Sequence, residues 1–230
     1  MKRFLSIFII STVVLGSLTA ETKSVGGGIS VFVPETLYLY GDGTLAFEQG
    51  LSYSFGFGDV LSFPIGFAYH AADGFVLNHS ALKTVNAAVL YGDSLIPYLM
   101  LKTHFALGSM FYIEGFGGGA LDWAFSLKPT KNFAQTLIQA QHQQIAVDSV
   151  DITKGVGYGW LAGGAFGVKV GAISVDLGGT YRWLTIPVSI ETSLVRVNSD
   201  NTVVRESVKF SDATAVMRGV SVQLAGSYAF

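Results

Sequence analysis

The last stretch of the chain, Met217 to Phe230, reads MRGVSVQLAGSYAF and alternates without a break. Val220, Val222, Leu224, Gly226, Tyr228 and Phe230 fall on one side of an extended strand, and Gly219, Ser221, Gln223, Ala225, Ser227 and Ala229 on the other. One face suits apolar surroundings and the other small polar groups. A soluble sandwich strand alternates in the same way, so composition must decide what the apolar face meets. Half of the 230 residues are hydrophobic and 13% are charged, against about 25% in an average soluble domain. That is too few charges to cover a surface in water. The net charge of −2 and the lack of any Lys/Arg run leave no footprint for nucleic acid. With no cysteine, disulfides, thiolate zinc sites, thiol nucleophiles and a Cys-linked lipid anchor are excluded.

At the front, Met1-Lys2-Arg3 precedes an apolar run from Phe4 to Leu18, then small residues to Ala20 and a polar ETKS. This is a signal-peptide pattern, which divides the chain into a leader over 1–20 and one domain over 21–230. An uncleaved anchor helix is the alternative, for which the run is short against the roughly 20 residues a span needs. No later stretch is long and apolar enough for a helical span. An exported apolar chain without helical spans is left with the closed barrel as its membrane structure.

The strands expected are Val25–Pro34, Leu45–Phe57, Val60–Ala71, Leu95–Ala106, Met110–Ser126, Tyr158–Val170, Ile173 to about Pro187, and a last one ending at Phe230. Tight turns at Gly58-Asp59, Leu107-Gly108-Ser109 and Gly171-Ala172 alternate with longer connections. Ala72–Ser94 and Leu127–Gly157 are expected as loops, the second with a short amphipathic helix near Phe133, Leu137 and Ile138. SLVRV and TVVRESVKF read as a hairpin that continues the last two strands beyond the bilayer. The fold expected is all-β: an eight-stranded antiparallel transmembrane barrel with short periplasmic turns and longer outer loops. The charges support it. Glu48, Lys102, Glu114, Asp122, Lys169, Asp176 and Arg182, with His70 and His104, all have the parity opposite to the aromatic face. A charge at the lipid midplane costs about 2–4 kcal/mol, so these belong inside.

In a narrow barrel inward charges must pair. The turns set Glu48 across from His70, Lys102 across from Glu114, His104 across from Tyr112, and Lys169 diagonal to Asp176. Glu48, His70, Lys102, Glu114, Lys169 and Asp176, with Asp122 and Arg182, form an expected charged plug. Phe32, Ile96, Tyr98, Leu161, Leu184 and Met217 are inward positions nearer the outer end, an apolar funnel that small apolar solutes could enter. No Ser/His/acid grouping of recognisable spacing occurs, Glu48 with His70 being the best pair for catalysis, so no enzymatic activity is expected. No histidine pair has ligand spacing, and the clusters GFGGGA and GYGWLAGG lie inside strands, so neither metal nor cofactor is expected.

LIPYLMLKTHF from Leu95 to Phe105 resembles the strand ending in His-Phe of the OmpW family of small outer-membrane barrels. The glycine-rich strand from Ile113 to Phe125, the pattern from Gly159 to Trp183 and the ending from Gly226 are similar to that family too. Ile96 stands where a second proline is common, and Ala229 where a basic residue is. The resemblance implies an integral protein of the bacterial outer membrane, a monomer surrounded by lipid. It also implies an internal path by which small hydrophobic molecules cross and leave sideways into the bilayer. Tyr228 and Phe230 resemble the signal by which the barrel assembly machinery recognises a last strand. A receptor or adhesin on the same scaffold is the other reading, because loops on a rigid barrel carry function readily.

Overall fold

The computed structural model describes residues 22–40, 45–58, 60–78, 90–130, 133, 145–197 and 202–230. The expected leader lies outside these residues. Among them are nine strands: β1 (Thr22–Pro34), β2 (Ala46–Phe57), β3 (Leu61–Asn78), β4 (Leu90–Leu107), β5 (Phe111–Pro129), β6 (Ile145–Lys154), β7 (Gly157–Val170), β8 (Ile173–Val197) and β9 (Val203–Ala229). A short helix, α1 (Glu35–Tyr40), occupies a connection expected to be plain. All pairings are antiparallel, and β9 closes the ring on β1, with Ser24 opposite Ala229 and Pro34 opposite Gly219. β6 and β7 run in line along β8, Lys154 opposite Val188 and Tyr158 opposite Thr185. Nine strands therefore make a ring of eight positions, as expected.

The strands differ from expectation mainly in length. β3 and β4 run on into the expected Ala72–Ser94 loop, and β6 occupies about a third of the Leu127–Gly157 connection. Phe133 is helical and buried, whereas Leu137 and Ile138 lie outside the described residues. β8 and β9, of 25 and 27 residues, far exceed the 9–11 residues that cross a bilayer, so the hairpin does continue beyond it. A bulge where Ser189 faces Ser211 and Asp212 marks the departure, with Asp212 in the left-handed region at φ 63°. The extra residue flips the inward face of β9 from odd positions (Ala213, Ala215, Met217) to Phe210. Pro64, which cannot donate to a ladder, lies where the β3–β4 pairing skips from Ser62 to Ile65.

Alternation now shows its cause. Odd positions of β8 and of lower β1–β5, and even positions of β7 and lower β9, point out and carry apolar groups, with Phe47, Trp123, Leu177 and Phe230 among the most exposed. Phe55 departs from this: it is buried, edge-on to Tyr53. Glu48, His70, Glu114, Asp122, Asp176 and Arg182 are buried inside. An apolar exterior around a charged interior is the inverse of a water-soluble barrel and is the surface lipid covers.

Candidate functional site

The interior has three tiers. At the turn end a cavity of about 570 Å³ opens past Gly58, Gly108 and Ala172. Small residues on one wall make the room: Ser24 and Gly28 of β1, Ser52 and Ser54 of β2, and Ser227 of β9. Opposite stand Tyr98, Met100, Lys102 and Glu114. Lys102 pairs with Glu114, His104 Nδ1 lies 3.4 Å from the same carboxylate, and the Tyr112 hydroxyl donates to Asp176. The expected β4–β5 register is off by two: His104 faces Glu114, and Lys102 faces Phe116. The turn is Gly108–Ser109–Met110, one residue later than LGS, because Gly108 takes the left-handed corner at φ 95°. Lys102 still meets Glu114 because a long side chain reaches the diagonal neighbour.

Lys169 does not join the plug. Its register places it diagonal to Asp176 as expected, yet it lies exposed at the cavity mouth and enters no ion pair among the described residues. A lysine at a turn keeps its ammonium in water at little cost, and Asp176 takes the tyrosine instead.

Above the cavity lies a polar layer centred on Glu48. Arg182 donates Nη1 to Oε1 and Nη2 to Oε2, each at 2.5 Å, the forked geometry a carboxylate matches best. Ser30 donates to Oε2 at 2.7 Å and Ser221 at 3.0 Å, and His70 Nδ1 lies 2.5 Å from Oε1. Arg182 also donates to Ser221 at 2.6 Å. One carboxylate thereby ties β1, β2, β3, β8 and β9. The Glu48–His70 pair follows the expected register, whereas Arg182, 134 residues away, was not matched to it in the sequence. Ser30, Ser94 and Ser221 were missed as well; inward parity beside a charge was their signal. Asp122, expected as a paired plug residue, is wholly buried with no hydrogen-bond partner on either oxygen.

The third tier is apolar and closed. Phe32, Ile96, Leu184 and Met217 pack with Phe75, Leu90, Ile186, Ile190 and Phe210, and all are buried. The expected apolar funnel is here a filled core, because extended β3, β4, β8 and β9 fold residues such as Phe75, Leu90 and Phe210 over its mouth. Tyr98 and Leu161 are only partly buried and line the cavity below rather than the outer end. Phe32 joins the tiers, its ring 5.1 Å from that of His70 and 4.9 Å from the Arg182 guanidinium. Of the best pair for catalysis, His70 Nε2 makes no hydrogen bond among the described residues, and the Ser221 hydroxyl bonds Glu48 and Arg182.

The wall is interrupted beside this tier. β5 pairs with β7 from Phe111 to Asp122, and Trp123–Pro129 have no ladder partner on that side among the described residues. The Lys154 ammonium caps the open carbonyl of Phe125 from β6. Ala124 and Leu127, on the unpaired stretch, belong to the apolar core.

No family model matches the chain and no curated protein matches it. Solved structures of outer-membrane barrels are similar at low identity. OprG from Pseudomonas aeruginosa is 15% identical over 89% of this chain and 96% of its own, with a TM-score of 0.45. The attachment invasion locus protein Ail of Yersinia pestis is 11% identical over 91% and 98%, with 0.38. The outer membrane protein AlkL is 14% identical over 91% and 90%, with 0.34. Superpositions this loose carry no argument, and the architecture rests on the chain's own geometry. A closed antiparallel ring of eight positions with an apolar exterior is that of an integral outer-membrane β-barrel.

Proposed function

We propose that the barrel carries small hydrophobic molecules across the outer membrane, the function that the OmpW resemblance implies. The observation that carries this reading is the meeting of the apolar tier with the unpaired edge of β5 at Ala124 and Leu127. A solute entering from the loop end would displace side chains of the tier and leave sideways through the seam between β5 and β6. An apolar solute replaces the contacts it breaks, while an ion finds no partner in such a constriction. Straight passage to the turn end meets the Glu48–Arg182 layer.

The test is uptake of a small apolar dye into liposomes carrying the refolded protein, with ion conductance recorded in parallel. The chain has no cysteine, so Phe125→Cys with Lys154→Cys can be bridged by a reducible bifunctional thiol reagent across the seam. Uptake should exceed the lipid background while conductance stays low, should fall when the bridge forms, and should return on reduction. Steady conductance without dye preference would instead mean a water-filled pore. If neither exceeds background, the reading passes to surface binding. That second reading is favoured by the sheet that β6, β8 and β9 raise beyond the bilayer, which exposes Asp151, Glu191, Arg205, Glu206 and Lys209.

A further inference from the structure

The polar layer buries two carboxylates, Glu48 and Asp122, and one guanidinium, Arg182, which forks onto Glu48 alone. Glu48 is saturated by five donors and Asp122 by none. The Ser94 hydroxyl, wholly buried and unpartnered, lies across from His70 on β3 and diagonal to Asp122 on β5. His70 Nε2 is likewise buried without a partner. The remaining groups facing the layer are Ser30 and Phe32 of β1, Ile96 of β4, Gly157 of β7, Leu184 of β8 and Ser221 of β9, none of them ionisable. Asp93, on the other face of β4, accepts from the Tyr69 and Ser126 hydroxyls at 3.2 Å each.

Two deficits coincide. The layer is short of one positive charge, and an uncompensated carboxylate in a dry interior takes up a proton or a cation. It is also short of hydrogens. A carboxylate can only accept, so the His70 Nδ1 beside Glu48 is the protonated nitrogen, which leaves Nε2 as a lone pair in the same layer as the two open Asp122 oxygens. Ser94 supplies a single hydrogen for the three. One added proton repairs both deficits at once.

We propose that this layer is a buried proton-binding site, holding at neutral pH one proton that His70 and Asp122 share by way of Ser94. A metal ion fits the site less well. Hard cations take about six or more oxygens, and no group of three His, Asp or Glu among the described residues is disposed to hold one. None of the three residues lines the cavity, so a hydrated ion has no open route to them.

The site binds a proton that the unfolded chain has lost above about pH 7, so stability falls as pH rises until the folded layer deprotonates. Equilibrium urea unfolding in lipid vesicles between pH 6 and 9 reads this directly. The folding constant of the wild type should fall about tenfold per pH unit above pH 7, and the isosteric Asp122→Asn should lose that slope. Other titrating groups are common to both proteins and cancel in the difference. Should Asp122→Asn fail to fold, imidazole and carboxyl chemical shifts of the wild type decide. Imidazolium with carboxylate, or imidazole with carboxylic acid, supports the site; neutral imidazole beside an ionised carboxylate at pH 7 overturns it. Stability that follows sodium against choline, at fixed pH, overturns it too. These readouts do not depend on transport, so either proposal can fail alone.

Discussion

Glu48 is the residue on which the interior depends, because a buried charge is held only by geometry that returns what desolvation removed. Truncating it to alanine leaves Arg182 buried without its partner. Glu48→Ala should destabilise the barrel by about 3–5 kcal/mol, and Glu48→Leu with Arg182→Met should recover most of that loss. Urea unfolding of the refolded variants measures both; a single variant within about 1 kcal/mol of wild type would make the pair incidental. What the sequence disclosed of this site follows from distance along the chain. Glu48 and His70 flank a tight turn, so counting back from Gly58 was enough to pair them. Arg182 meets Glu48 only after the sheet has closed, and closure depends on a stagger that no local pattern carries. The same holds for the filling of the apolar tier, where Phe32 and Met217 were legible as inward but not as covered.

Among the elements, those that kept one period were read correctly and those with a bulge were not. β6 has Ile145 and Val147 on one parity and Val150 and Ile152 on the other, with the register shift between Val147 and Ser149. Read without the bulge, it has no alternation, which is why it passed for loop. Asp212 makes the corresponding step in β9. An aspartate tolerates the left-handed region better than alanine does, so Asp212→Ala should cost about 1 kcal/mol and Asp212→Gly little or nothing. A larger loss with glycine than with alanine would argue against backbone strain at that corner. The end of β9 invites a different measurement. Phe230 is 67% exposed, and its N–H donates to the Lys23 carbonyl whatever its side chain. We expect Phe230→Ala to refold from urea with nearly wild-type stability yet to assemble poorly in cells, as a recognition signal would. Equal assembly of both proteins would leave Tyr228 and Phe230 as ordinary lipid-facing residues.

For the whole molecule the decisive property is which side of the wall is apolar, and both the strand patterns and the structure give the same answer. The ring has no open edge along its lower half, its exterior carries Leu177, Val222 and Leu224 side by side, and its interior holds the charges. A bilayer replaces water around that lower half at no cost to the backbone, since every ladder there is internal. Position should then outweigh residue type. Leu177, 61% exposed, points outward, and Ser54 lines the cavity on the inner face. Leu177→Arg should lose about 2–4 kcal/mol of stability in phosphatidylcholine vesicles, the amount by which lipid rejects a guanidinium near the midplane. Ser54→Lys adds a like charge where water already reaches and should change stability by no more than about 0.5 kcal/mol. In detergent micelles, which deform around a charge, the gap between the two should narrow. The reverse order in vesicles, with the inward charge the costlier, would place lipid against the wrong face and remove the membrane barrel as the native state.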